Sequence, residues 1–246
     1  MILFGGGHGN DYREAEMLFG AWVGPGANVL LIAGMDQHPV DVQRDVDRIS
    51  GHLREHGVTR LSVWDASVID APGFVPDLTP FDGICFSASL PHQILRPLRM
   101  NGLDQAVIDA ARTGCVVYTE NLLIPILGPD ARYTGLRDYW IGEHDLEDDA
   151  GLGLTTDQDG RPTIYMGRYR GLPSGNRIHP QRVANETRSR VCVIPPVGMV
   201  TIRDGIVREV GRRAFDWYEP KPRRNGQKAV LKGSRDIASD RQRRAT

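Results

Sequence analysis

Side chains able to move protons or attack a carbonyl carbon follow short apolar runs at three places in the chain. Ile2-Leu3-Phe4 leads into Gly5-Gly6-Gly7-His8-Gly9-Asn10, Ile84-Cys85-Phe86 into Ser87-Ala88-Ser89-Leu90-Pro91-His92, and Val116-Val117-Tyr118 into Thr119-Glu120-Asn121. An apolar run that breaks into a polar turn and then into helical spacing places the turn at the carboxyl edge of a sheet, where open α/β folds hold ligands. Ser87 or Ser89 beside His92 supplies a hydroxyl and an imidazole, the raw material of nucleophilic catalysis; either serine could equally cap the helix that continues through Gln93, Ile94 and Leu95. Glu120 can act as a general acid or base, with Asn121, His92, Ser89 and His8 around it, because a partly shielded carboxylate acquires a raised pKa suited to proton transfer. It reads equally as a first-turn helix acid or as the partner of an arginine.

Two other patterns imply less. The glycine-rich start misses the G-x-G-x-x-G spacing of a dinucleotide loop, since Asn10 holds the third glycine's position, so it reads as a tight turn. His52-Leu53-Arg54-Glu55-His56 matches H-x-x-E-H, with two imidazoles on one helix face. Leu53 belongs to an apolar stripe and Gly57 follows, which makes these histidines a solvated helix end that complements the helix dipole. No metal and no cofactor are expected.

The elements that must position these residues alternate between strand and helix. Strands are predicted at Met1–Phe4, Val29–Ala33, Leu61–Trp64, Gly83–Phe86 and Cys115–Thr119. Val42, Val46, Ile49 and Leu53 recur at helical spacing before Gly57, as do Leu103, Val107 and Ala110 before Gly114. Val191–Ile194, Met199–Ile202 and Ile206–Val210 form later runs, and Asp204-Gly205 between the last two is a hairpin signal. The fold class is α/β: a central, mainly parallel sheet with helices on both faces, ending in an antiparallel hairpin. Residues 1–218 form one domain with an irregular stretch at 133–190, and 219–246 is a tail with few apolar residues, predicted to be disordered.

Charge is distributed unevenly over the 246 residues. Residues 219–246 hold nine Lys/Arg against three Asp/Glu, while the remainder holds 21 against 28. All three lysines (Lys221, Lys228 and Lys232) lie in the tail, so Schiff-base and P-loop chemistry, which need an amine that arginine cannot replace, are excluded from the body. Cys85, Cys115 and Cys192 each sit in an apolar run and read as buried small hydrophobes rather than disulfides or zinc ligands. With no apolar run near 18 residues and no basic leader, the expectation is a cytoplasmic protein without a membrane partner.

The stretch Gly114-Cys115-Val116-Val117-Tyr118-Thr119-Glu120-Asn121-Leu122-Leu123-Ile124-Pro125-Ile126-Leu127-Gly128 has the strand–turn–helix order of a nucleophile elbow. With the glycine-rich opening and the closing hairpin, it resembles the peptidase E and cyanophycinase group (family S51), whose domain is similar to class I glutamine amidotransferases. The resemblance spans residues 1–130 and 190–218 in element order. It implies a serine hydrolase in which a strand ends in Gly-Thr-Ser-Ala-Gly-Ala, a motif that falls on Thr119-Glu120-Asn121-Leu122-Leu123-Ile124. Asn121 then stands at the serine's position, Leu122-Leu123 replace the small residues of the elbow and weigh against its strained turn, and Ala88-Ser89-Leu90 replace a Gly-Gly-Asn loop. His144 and His179 follow the elbow, but neither aligns with the family's catalytic histidine.

These departures imply a diverged, peptidase-like protein without the serine mechanism. It is expected to bind a small peptide-like or amino-acid-like ligand, or a partner protein, in a crevice lined by His8, Ser87, Ser89, Thr119 and Asn121, with the Thr119–Asn121 turn facing a closed or apolar-filled space. The alternative is an enzyme with replaced acid/base chemistry, its catalytic groups Glu120 and His92, acting on a small peptide or an amide-containing metabolite. The basic tail suits an acidic partner. Nucleic acid is not expected, because the tail has no aromatic residue for base stacking.

Overall fold

The apolar runs of the first half become strands because each is too short for a helix, and all but the edge run at Arg60–Trp64 are largely buried. In a computed structural model, which describes residues 1–7, 11–33, 39–87, 91–131, 150–167 and 179–222, they are β1 (Ile2–Phe4), β2 (Asn28–Ile32), β3 (Arg60–Trp64), β4 (Gly83–Phe86) and β5 (Val116–Glu120). With β8 (Met199–Arg203) and β9 (Ile206–Val210) they form a seven-stranded sheet of order β3-β2-β4-β5-β1-β8-β9. The first five strands pair parallel, and β8 joins β1 antiparallel, with Leu3 opposite Val200. The turn at Asp204-Gly205, both at positive φ, closes the β8–β9 hairpin as its sequence predicts.

Helices cover both faces. Ala15 and Phe19 of α1 (Asp11–Val23) and Ile49 and Leu53 of α2 (Pro39–Arg54) bury against Ile2, Phe4, Val29, Leu31 and Tyr118. On the other face, Ile94, Leu95 and Leu98 of α4 (Pro91–Met100) and Leu103 and Val107 of α5 (Leu103–Arg112) pack on Leu3, Leu30, Ile32, Ile84 and Val117. A short α3 (Ala66–Ile69) follows β3, and a 3-10 helix (Asn121–Leu127) leads directly out of β5. No described helix is long and apolar enough to cross a membrane.

Besides the four-residue α3, three elements lacked a sequence signal. β6 (Thr163–Gly167), α6 (Pro180–Thr187) and β10 (Asp216–Tyr218) are short and lie among glycine- and arginine-rich stretches without periodicity. β6 and β10 flank β7 (Arg190–Ile194) in a separate three-stranded sheet, parallel on one side and antiparallel on the other. The chain stays tied to this unit as far as Lys221: its N–H donates to Asn185 Oδ1 at 2.9 Å, and its carbonyl accepts from Arg188 Nη1 at 2.9 Å. Cys85 and Cys192 are buried and Cys115 partly so, all as free thiols. The tail from residue 223, His8, Ser89 and His144 lie outside the described residues.

Gly83 sets how closely α1 approaches the sheet, since a Cβ there would stand 2.6 Å from Val23 Cγ1 and 2.8 Å from the Phe19 ring. Gly83→Ala should therefore lower the unfolding free energy by about 1–3 kcal/mol in urea titration, the usual penalty for overpacking a filled core.

Candidate functional site

The turn after β5 organises the site. Because side chains alternate along a strand, Tyr118 and Glu120 point to the α1/α2 face and Thr119 to the opposite one. The strand runs one residue further than the sequence pattern predicts, so Glu120 is its last residue rather than part of the turn. Asn121 follows with φ 53, a left-handed conformation uncommon for a non-glycine residue. The strained strand-to-helix turn therefore persists despite Leu122-Leu123. Leu123 is accommodated by turning into the core beside Ile124, Ile126 and Leu127.

Asn121 Nδ2 donates to Tyr12 Oη at 2.9 Å. Gly6, at φ 89, lies so close to the Asn121 amide that a Cβ at Gly6 would overlap Oδ1. The backbone of Gly5–Gly7, Asp11 and Glu14 of α1, Asn121, the turn Pro196-Val197 and residues 210–213 at the end of β9 line a groove of about 680 Å³. This groove is an open cleft of mixed character, so the expectation of a closed or apolar-filled space is corrected. It opens here because the glycines keep the floor low and the β7–β8 turn forms the opposite wall. Asp11 and Glu14 bring negative charge, while the exposed Arg212 and Arg213 bring positive charge.

Glu120 does not line this groove. It is 2% exposed, accepts from Tyr118 Oη at 2.7 Å and from Arg48 Nη2 at 3.0 Å. Arg48 also pairs through Nη1 with Glu16, and through Nη2 at 3.4 Å with Asp45, while its guanidinium lies 4.3 Å from the centre of the Tyr12 ring. Fully buried Glu16 completes the cluster by bonding His52 Nδ1 through its other oxygen. Burial pushes both Glu16 and Glu120 up to about 7 against the pull of Arg48. Burial also holds the His52 imidazole below its ordinary value. His52 is thus a partner of a buried carboxylate and not a solvated helix end. The Tyr118 phenol, pushed well above its usual range by burial, stays protonated and able to donate.

The remaining sequence candidates that the structure describes do not converge on Glu120. Ser87 and Thr119 are buried at the ends of β4 and β5, and among the described residues neither hydroxyl has a hydrogen-bond partner, so no bond from Ser87 to the described first turn of α4 caps it. Neither lines the groove. His92 falls in the first turn of α4, and its side chain lies outside the described part of the structure. His179 caps α6, accepting from the Gln181 N–H at 3.1 Å, and meets the Tyr218 ring edge-on at 5.8 Å. Among the described residues, no group of three or more His, Cys, Asp or Glu is placed to hold a metal ion. Sequence reasoning missed Tyr12, Glu16, Arg48 and the 210–213 segment; the one available signal was the spacing of Asp45, Arg48 and His52 beside the apolar stripe of α2.

This architecture is a peptidase E-like α/β fold. A candidate peptidase E from Listeria monocytogenes EGD-e superposes with a TM-score of 0.59 at 15% identity, covering 86% of this chain and 98% of that one. A peptidase from an acI-B1 actinobacterium gives 0.64 at 15% identity, over 90% and 91% of the two chains. No family model matches the chain, and no curated protein does.

Removing Arg48 leaves three buried carboxylates, Glu16, Asp45 and Glu120, without their cation. Arg48→Ala should cost about 3–5 kcal/mol in urea unfolding, and adding Glu120→Gln to it should recover part of the loss. Because the folded-state pKa values of Glu16 and Glu120 are raised, the native protein binds more protons than the unfolded chain between their ordinary value and about 7. Their contribution to stability is therefore complete below that ordinary value and is lost as pH rises through 7. Urea midpoints taken at pH 5.5 and 8 should fall more steeply in the wild type than in Glu120→Gln.

Proposed function

We propose that the protein is a diverged S51-like member of the class I amidotransferase-like architecture, and that it binds a small peptide-like or amino-acid-like ligand in the groove without hydrolysing it. The carrying observation is Asn121: it occupies the elbow in a left-handed conformation, and its amide is engaged by Tyr12 and packed against Gly6. An amide nitrogen, its lone pair delocalised into the carbonyl, is not a nucleophile, and serine-type catalysis needs one with a base in hydrogen-bonding reach. What the position retains is a polar side chain displayed at the head of the groove, suited to orienting a ligand.

Charge supports the ligand class. A zwitterion can direct its ammonium to Asp11 and Glu14 and its carboxylate to Arg212 and Arg213, with the Gly5–Gly7 backbone offering close polar contact. The two similar solved structures, described as peptidases, agree with a peptide-like ligand. Acid/base chemistry centred on Glu120 and His92 takes second place. Glu120 has the near-neutral pKa that proton transfer favours, but its carboxylate is enclosed by Arg48 and Tyr118 and does not line the groove.

Calorimetric titration of the full chain with a panel of dipeptides should show saturable binding, and chromatography of the same mixtures should show no hydrolysis above background. Arg212→Glu with Arg213→Glu should weaken binding by about tenfold or more. Enzyme-dependent release of free amino acids would refute the non-hydrolytic reading.

A further inference from the structure

The turn forming one wall of the groove carries a branched side chain where its backbone favours none. Pro195–Gly198 connects β7 to β8, and the Gly198 N–H donates to the Pro195 carbonyl at 2.9 Å. Pro196 holds the second position, and Val197 the third with φ 62. A hydrogen-bonded turn with proline second and positive φ third is type II, a geometry that favours glycine or asparagine at the third residue. A β-branched residue is among the least suited to it, because its Cβ crowds the backbone.

The turn is also held in place. Val197 N–H donates to the Gly6 carbonyl at 2.8 Å, and Gly5 N–H donates to the Gly198 carbonyl at 2.8 Å. A Cβ at Gly5 would stand 2.5 Å from the Pro195 carbonyl oxygen, so the two segments are in close backbone contact. Core packing does not account for the valine, whose side chain remains 43% exposed. It lines the groove with Pro196, Met199 and Val210, which together give an apolar wall to a cleft that otherwise presents charge and backbone. A residue held in a sparsely populated conformation by its surroundings, without burial to offset the cost, is characteristic of a ligand clamp.

We infer that Val197 is the specificity-determining residue of the groove and that its ligand is a zwitterionic amino acid or dipeptide bearing an aliphatic side chain, which packs against the Val197 isopropyl group. This rests on the peptide-like reading above and narrows it. Seating an aliphatic side chain there removes the exposed valine surface from water, and a hydrophobic contact differing by one or two methylenes separates ligands by about 10- to 200-fold.

The test is calorimetric titration of wild type and Val197→Gly with the dipeptides Gly-Gly and Leu-Gly. Wild type should bind Leu-Gly at least about tenfold more tightly than Gly-Gly. Val197→Gly, whose thermal midpoint should be unchanged or raised because glycine relaxes the positive φ, should keep its affinity for Gly-Gly and lose the preference. Val197→Asn, also compatible with the left-handed backbone, should lose it as well. Retention of the Leu-Gly preference in either folded variant overturns the role of Val197 and leaves the peptide-binding reading standing. Failure of wild type to bind either dipeptide overturns both.

Discussion

The buried guanidinium of Arg48 is the interaction on which the site depends. It projects from α2, bonds Glu16 of α1 and Glu120 of β5, and stacks over the ring of Tyr12. A single side chain thereby joins two helices to the end of a central strand. Burial raises both Glu16 and Glu120, and a neighbouring carboxylate adds to each shift, against the pull of the single cation they share. The same arrangement fixes Tyr12, and Tyr12 fixes the amide of Asn121. Charge buried beneath the sheet edge thus determines the posture of the residue displayed above it.

The groove and the cluster divide labour across the chain direction of β5. Glu120 points inward and is consumed by structure, whereas the next residue, Asn121, lines the groove while its amide is held by Tyr12 and Gly6. Of the four described non-glycine residues at positive φ, Asn121 and Val197 line the groove, whereas Arg188 and Asp204 sit at the end of α6 and in the β8–β9 turn.

Much of the fold was legible because burial on both faces forces apolar runs and amphipathic stripes. The runs at 29–33 and 83–86, the stripe Val42-Val46-Ile49-Leu53 and the Asp204-Gly205 turn all carry their signal in residue type alone. The small sheet was not legible: β10 spans three residues and β6 follows an irregular segment, so neither offers enough periodicity to distinguish strand from loop. The location of Glu120 and Asn121 at a sheet edge was also legible, but their partners were not. Glu16 and Arg48 are charged residues on helices that look solvated in one dimension, and only the tertiary approach of α1 to α2 buries them. Exposed strain was equally invisible, since nothing in Pro195-Pro196-Val197-Gly198 says which residue takes the positive φ.

The place of β1 in the sheet has a kinetic consequence. It lies between β5 and β8, with Ile2 opposite Tyr118 on one side and Thr201 on the other, so β1 pairs on both sides with strands that come far later in the chain. Parallel pairing at such sequence separation carries a large loop-closure penalty and is slow to nucleate. The chain can build β2, β3 and β4 into a sheet well before that, but the cleft has no far wall until the C-terminal hairpin docks against β1. The groove is therefore complete only once β8 and β9 are in place, and a chain truncated before them would carry Asn121 without residues 196–199 and 210–213 around it.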